Sequence, residues 1–550
     1  MTTLSDMAVL GDYGGVVAEG LAALEAAHSL PRIWTKDHTV WRDDPEEIAN
    51  RLGWLDIASR MREALPRLTA LRDALLHEGY TDVLLLGMGG SSLAPEVFSR
   101  VFGEGSQGLS LAVLDSTDPA AVLAALQRVD LRRTAFVVAT KSGGTVETLS
   151  FFKFFYNQVT DALGEGAGKH FVAITDPGSK LVALAERYGF RETFLNDPNI
   201  GGRYSALSYF GLVPAALAGV DLARLLDRAE AMMAACGPDI PAGENPAAWL
   251  GAVLGEMAKL GRDKLTLVAS PQVASFGDWV EQLVAESTGK QGQGILPVVG
   301  EPLRAPSAYG EDRCFVYLRL GDDVSYDKAL DALSRAGHPV VHLPLADCYD
   351  LGGQFLLWEL ATAVAGARLA IQPFDQPNVE AAKHLARDFV AAYQQEGVLP
   401  EGDHAPLSAE AFAAFLEQAK SGDYVAIQAY VPPTEATCTA LQGLREQILD
   451  RTHLATTVGY GPRFLHSTGQ LHKGDAGKGL FIQITSDPAV DLPIPDAPGE
   501  SGSSMTFGVL KLAQALGDQQ ALLAVDRRVI RFHLGTDPTG GIVRLAAFLD

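Results

Sequence analysis

Asp82-Val-Leu-Leu-Leu-Gly-Met-Gly-Gly-Ser-Ser92 is a short apolar run that ends in a glycine-rich turn and leads into a helical pattern. An uninterrupted apolar run of this length reads as a strand buried on both faces. The same grammar recurs at Gly108–Asp115, Ala135–Thr140 and His170–Thr175, with helical spacing over Glu147–Leu163 and Ser179–Tyr188 in between. Strands alternating with helices imply a parallel sheet covered on both sides. The pattern restarts at Lys264–Ser270 and continues through Arg313–Leu320 and Pro339–Pro344. The expected fold class is therefore α/β: two doubly wound parallel-sheet domains, followed by a smaller C-terminal α+β domain.

Residues 1–55 read as a peripheral helical segment, 56–225 as the first sheet domain and 226–395 as the second. Gly397–Pro406 is rich in Gly, Pro and acidic residues and reads as a linker. In the last part, 407–550, strands are expected at Asp423–Val431, Ala455–Gly459, Gly479–Thr485 and Arg528–Leu534, with helices at Thr434–Asp450 and Ser504–Gly517. That order, β-α-β-β-α-β, fits a ferredoxin-like sandwich.

Composition narrows the function. With 550 residues, 47% of them hydrophobic, the chain can bury large cores. Its 44 Lys+Arg against 67 Asp+Glu give a net charge of −23, which disfavours nucleic acid or an anionic membrane as a partner. Cys236, Cys314, Cys348 and Cys438 are far apart and form no CxxC pair, so a reducing cytoplasm is expected. The first basic residue is Arg32, so the N-terminus lacks the basic region of a secretory signal. The best membrane-like stretch, Phe355–Ile371, is interrupted by Glu359 and Arg368 and reads as a buried helix.

Two turns carry the chemistry. After the first strand, Gly87–Ser92 offers glycines that let backbone approach an anion at a helix start. It departs from the dinucleotide fingerprint, because the third glycine position is Ser92 and the acidic residue arrives late, at Asp115. A nucleotide-dependent oxidoreductase is weakened accordingly. After the third strand, Thr140-Lys141-Ser142-Gly-Gly-Thr145-Val-Glu-Thr148 gathers hydroxyls and a lysine around free helix N–H groups, as a phosphate monoester requires. An ordinary helix cap at Thr145 explains one hydroxyl but not their density. Adjacent turns at the carboxyl ends of parallel strands converge where such sheets bind ligands.

These two segments resemble the sugar-isomerase (SIS) domain of phosphosugar-binding proteins. Three further motifs narrow the likeness to the glucose-6-phosphate isomerase family: Asn199–Ser208 around Arg203, Gln282–Lys290 around Glu286, and Phe374–Lys383 ending in Lys383. Within that family the chain resembles the isomerase half of bacterial fused transaldolase/glucose-6-phosphate isomerases, without a preceding transaldolase half. The resemblance implies two SIS-type domains and a homodimer acting on a sugar phosphate with no metal or organic cofactor. It implies that Thr140, Lys141, Ser142 and Thr145, with Gly90 and Ser91, hold the phosphosugar. It further implies that Arg203 stabilises an enediolate, Gln282 contacts the sugar, Glu286 is the base and Lys383 assists ring opening.

The chemistry asks for the same residue types. Aldose–ketose interconversion moves one proton between C1 and C2 through a cis-enediol, so a single carboxylate suffices. Gln282 and Glu286, four apart on an expected helix, share a face. An arginine beside the developing oxyanion supplies electrostatic stabilisation. The histidine is where the pattern departs from the family. Phe464-Leu-His466-Ser-Thr-Gly-Gln470 resembles the Leu-His-Ser-x-Gly-Gln segment of short bacterial isomerases but lies in the last domain, far from its usual place. His466 is the expected ring-opening residue, with His472 and His338 as alternatives, and its site could be in its own chain or a partner's. Arg463 and Lys473 flank it, either adding positive charge near an anionic substrate or simply solvated. A dual glucose/mannose 6-phosphate isomerase and a non-catalytic phosphosugar sensor are the rival readings. Little supports a metal: the one HxxxH pair, His338 and His342, falls at a loop–strand junction.

Overall fold

The computed structural model describes residues 4–103, 107–400 and 402–549. Its α/β framework is three parallel sheets. The first runs Ser110–Leu114, Asp82–Leu86, Thr134–Ala139, Phe171–Thr175, Glu192–Leu195, every pair parallel. Thr134–Ala139 and Phe171–Thr175 are buried at every position, which is why they read as unbroken apolar runs. The winding reverses at Asp82–Leu86, where the chain goes out to Ser110–Leu114 and returns past it to Thr134–Ala139. The Gly87–Ser92 and Thr140–Thr145 turns leave the sheet side by side at that reversal, the place where open α/β sheets take ligands.

The second sheet runs Leu296–Val299, Lys264–Ala269, Arg313–Leu320, Val340–Leu345 in parallel, and Ala8–Val9 adds an antiparallel edge. Helix Leu351–Arg368 is buried from Leu351 to Gly366, as its apolar sequence requires. Helix Pro246–Lys259 crosses it at Gly251, where an added Cβ would lie 2.6 Å from the Ala361 carbonyl oxygen. One apolar core is continuous between these two sheets, through Phe98, Trp279, Phe355 and Trp358. The N-terminal segment belongs to it, contrary to its expected peripheral place. Ile33, Ile48, Leu52 and Trp54 are fully buried, and the Trp41 indole N–H donates to the Ala363 carbonyl at 2.8 Å.

The C-terminal part corrects the ferredoxin-like α+β reading. Its strands form the order Ala455–Tyr460, Tyr424–Tyr430, Gly479–Thr485, Arg528–His533, and all three pairings are parallel. The reason lies between the second and third strands in chain order, Ala455–Tyr460 and Gly479–Thr485. That interval holds the turn Arg463–His466 and the short helix Gly469–Gly474, which return the chain to the starting end of the sheet. Helices Glu435–Thr452 and Phe507–Leu523 do the same for the other two connections. A parallel sheet needs such crossovers, and a hairpin would not supply one.

Helix Phe507–Leu523 fastens this third sheet to the first. Lys511 and Asp118 form a buried ion pair at 2.9 Å. Beside it Thr117 donates its hydroxyl to the Gln514 side-chain oxygen at 2.8 Å. Breaking a buried pair by removing one partner costs about 3–5 kcal/mol, because a charge is left unpaired. Lys511→Met is therefore expected to lower the denaturant midpoint strongly. Adding Asp118→Asn, which keeps the hydrogen bond that Asp118 accepts from the Ala120 N–H, is expected to restore most of the loss in chemical-denaturation curves.

Candidate active site

The glycine turn is shaped by what presses on it. Gly89 has a φ of +54°, and a Cβ there would lie 2.9 Å from both the Gln282 side-chain nitrogen and the His466 carbonyl oxygen. A Cβ on Gly90 would lie 2.1 Å from the Gly202 carbonyl oxygen. The segment before Arg203, the helix of Gln282 and the His466 turn thus converge on Gly89 and Gly90. Ser91 is buried in the same turn, and the Ser92 hydroxyl donates to Asp115 at 3.0 Å.

On the neighbouring strand end, the Thr140 and Thr145 hydroxyls are 2.9 Å apart. Thr145 occupies the N-cap position of helix Val146–Leu163, yet its side chain makes no capping bond. The Thr145 hydroxyl thus leaves the helix start uncapped, and of the first N–H groups that of Glu147 is taken by its own carboxylate. Ser142 is exposed and its hydroxyl oxygen accepts the Gly144 N–H at 3.2 Å, with Gly143 in a left-handed conformation. Lys141 is held by an ion pair with Asp176 and donates to the Pro198 carbonyl at 3.0 Å.

Gln282 and Glu286 lie one turn apart on helix Phe276–Thr288, and both are buried. Glu286 is held from two sides: Arg203 Nη1 donates to Oε1 at 3.0 Å and Gln282 Nε2 donates to Oε2 at 3.1 Å. Arg203 also donates to the Ser287 hydroxyl at 2.8 Å and to the carbonyls of Pro373 and Asp375 at 2.7 and 3.0 Å. Asp375 is fixed in turn by Lys290, whose Nζ reaches its carboxylate at 2.7 Å. Burial, then the neighbouring Arg203 charge, pushes the Lys290 ammonium down to about 8 against the pull of Asp375.

His466 reaches this site within its own chain. Its carbonyl accepts the second Gln282 Nε2 hydrogen bond at 2.7 Å, and its Nε2 lies 3.1 Å from Glu147 Oε1. Glu147 is buried and also accepts from Gln514 at 2.7 Å. Burial opposes its charge, but the His466 imidazole and its hydrogen bond outweigh that and hold the carboxyl below the usual range. Reading by motif gave Glu147 no role. Its signal was an acidic residue in the first turn after the hydroxyl run, and only the fold reveals that it is buried against an imidazole.

The other histidines are elsewhere. His472 is packed among Tyr424, Phe464 and Phe481, and burial pushes its imidazole well below the ordinary value, so it is a neutral core residue. His338 packs edge-on against Phe315 and Tyr309 at the start of a second-sheet strand, away from Glu286. Arg463 and Lys473 are neither free in solvent nor facing the site. Arg463 pairs with Glu96 and Asp115, and Lys473 forms a buried pair with Asp518 at 2.5 Å. Lys383 is partly exposed on helix Glu380–Glu396 and pairs with Glu380 at 2.9 Å. It makes no described contact with Glu286 or Arg203, but its charge is felt by Glu147.

The chain resembles known proteins over much of its length. Residues 57–294 match the family model described as phosphoglucose isomerase. The glucose-6-phosphate isomerase of Rubrobacter xylanophilus is 30% identical over 67% of this chain and 94% of its own length. A glucose-6-phosphate isomerase of Thermus thermophilus is 30% identical over 63% of this chain and 91% of its own. Among solved structures, a hypothetical protein of Thermus thermophilus superposes with a TM-score of 0.59 at 26% identity, covering 69% of this chain and 98% of that one. A glucose-6-phosphate isomerase of Chlamydia trachomatis shares the fold, with a TM-score of 0.51 at 22% identity over 71% of this chain and 81% of its own. With nearly the whole of one relative covered at this identity, the chain belongs to the glucose-6-phosphate isomerase family.

Proposed function

We propose that this chain interconverts glucose 6-phosphate and fructose 6-phosphate by proton transfer through a cis-enediol. The observation that carries the reading is the position of Glu286. It is a buried carboxylate held between a guanidinium and an amide, and that amide also binds the backbone of a histidine that has its own carboxylate. The phosphate lies on the Thr140, Ser142 and Thr145 hydroxyls and the start of helix Val146–Leu163, with Lys141 fixing that loop and Gly90 and Ser91 flooring the sugar. His466 opens the ring by passing a proton to the ring oxygen as its bond to C1 breaks and the C1 hydroxyl gives up its proton to water, with Glu147 holding the imidazole and Lys383 adding positive charge on that side. Glu286 takes the C2 proton of the aldose and returns it to C1, a second proton passes from the C2 hydroxyl to the C1 oxygen, and Gln282 orients the carboxylate. Arg203, adjacent to that carboxylate, stabilises the charge that develops on the enediol oxygens.

The working assembly is proposed as a homodimer, as the family resemblance implies, in which each site draws on its own chain's His466. A reducing cytoplasm suits its four free cysteines. No helix among the described residues is long and apolar enough to cross a membrane.

A coupled assay on fructose 6-phosphate without added metal tests the reading. Wild type is expected to form glucose 6-phosphate, and Glu286→Gln to lose about 10²–10⁴-fold in kcat, the share of a positioned acid–base group. His466→Ala is expected to lose a comparable factor, and full activity there sinks its assignment. Gly90→Ala, whose Cβ collides with backbone at Gly202, is expected to raise KM and lower kcat together, because the turn that floors the sugar has to shift.

A further inference from the structure

The turn that carries His466 is gripped at its start by a charge cluster outside the reacting centre. Arg463 opens this turn, three residues before His466. Its guanidinium reaches three carboxylates on three separate elements. Glu96 lies on helix Leu93–Phe102, behind the glycine turn. Asp115, at 3.1 Å, follows strand Ser110–Leu114. Asp278, at 3.9 Å, lies in the first turn of the helix that carries Gln282 and Glu286. Two of the partners have second holds: Arg100 pairs with Glu96 at 2.6 Å, and Ser92 donates to Asp115.

From this geometry we propose that Arg463 is the positioning residue for His466, locking its turn to the glycine-turn wall and to the helix of the base at once. The inference rests on the assignment of His466 above. Two features require an arginine. The partners are separate carboxylates on separate elements, so a planar fork can serve Nη1 to Asp115 and Nη2 to Glu96 in one orientation. A lysine is a point charge and cannot hold both. The cluster also holds more acid than base. Glu281 lies one turn along from Asp278 and accepts the Ser467 hydroxyl at 3.3 Å. Burial, and then Asp278, pushes the Glu281 carboxyl up to about 7. Burial likewise pushes Asp115 upward. Without the guanidinium the three walls would repel one another at the place where the turn docks.

Gln282 fixes the His466 carbonyl and Glu281 accepts from Ser467 beside it, both holds lying at the end of the turn and on one helix. Arg463 supplies a hold at the start of the turn, which sets its rotation and so the reach of the imidazole. The phosphate-binding hydroxyls lie on another strand end, and none of them touches Arg463. The expected effect therefore falls on turnover and not on binding.

The test uses the full chain and reads three quantities: kcat and KM on fructose 6-phosphate, anomer interconversion of glucose 6-phosphate, and thermal unfolding. Anomer interconversion needs ring opening but not the C2 proton transfer, so it is measured in a Glu286→Gln background by NMR exchange. Arg463→Lys is expected to lower kcat and anomer interconversion together by about 10–100-fold, the effect of misplacing a catalytic group by about 1 Å. KM is expected to stay within about threefold, since uniform binding is untouched. Arg463→Met with Glu96→Gln removes a carboxylate along with the cation, and is expected to recover thermal stability without recovering ring opening. Arg463→Lys that keeps both rates, or loses kcat while anomer interconversion is unchanged, overturns the proposal. Recovery of ring opening in the double variant also overturns it, because stability alone would then explain the effect. The two readings fail separately. If His466→Ala retains full turnover, the histidine assignment falls and the latch with it. If His466→Ala is inactive and Arg463→Lys is not, the latch alone falls.

Discussion

One amide nitrogen holds the site together. Gln282 Nε2 donates one hydrogen to the Glu286 carboxylate and the other to the His466 carbonyl. Through it Glu286, on the second sheet's helix, and His466, on a turn of the third, are fixed relative to each other. The arrangement sets the residue opposite, since any side chain at 89 would occupy the space of this amide. Buried hydrogen bonds of this kind contribute little when all are made and cost much when one is lost. A site built on them is therefore either assembled or absent.

Arg203 is held in the same manner. All five of its guanidinium N–H groups have acceptors: Ser287, Glu286, a longer 3.4 Å approach to Gln376, and the carbonyls of Pro373 and Asp375. Three of those acceptors come from the stretch 373–376, which Lys290 fastens through Asp375. The guanidinium is thus oriented before any substrate arrives. Preorganised charge of this kind needs no rearrangement when an oxyanion develops, which is what makes it effective in catalysis. The 3.4 Å approach to Gln376 is its weakest bond, and the donor involved is the one that also reaches Glu286.

How much of this was legible in the sequence follows from how local each signal is. The i, i+4 spacing of Gln282 and Glu286 predicts one helix face, and they share one. Unbroken apolar runs predict strands buried on both sides, and Thr134–Ala139 is buried throughout. Long-range pairing leaves no such mark. The interval between Ala455–Tyr460 and Gly479–Thr485 reads as the central connection of a ferredoxin-like sandwich, and only the crossover makes the sheet parallel. Charge is equally silent about burial. Arg463, Lys473, Lys511 and Glu147 read as surface residues by type. Yet Lys473, Lys511 and Glu147 are buried and Arg463 is half-buried, each because a partner from far along the chain meets it. Among the histidines, His466 lies in the Phe464–Gln470 motif and His472 six residues further on. What separates them is that one faces a carboxylate and the other three aromatic rings.

That distribution of charge bears on why the third sheet docks as it does. Much of its contact with the first sheet is polar: Lys511 with Asp118, Gln514 with Thr117 and Glu147, and Arg463 with Glu96 and Asp115. An apolar interface of similar shape would hold at least as tightly, because desolvating charges offsets most of their attraction. It would, however, tolerate sliding. A small shift along an apolar surface replaces one set of contacts with another of similar strength. The same shift here strands a cation and a carboxylate in a medium that cannot solvate them. The interface therefore gives up some binding strength for register. Register is what fixes His466, on a separate sheet, relative to Glu286, which it meets only through Gln282.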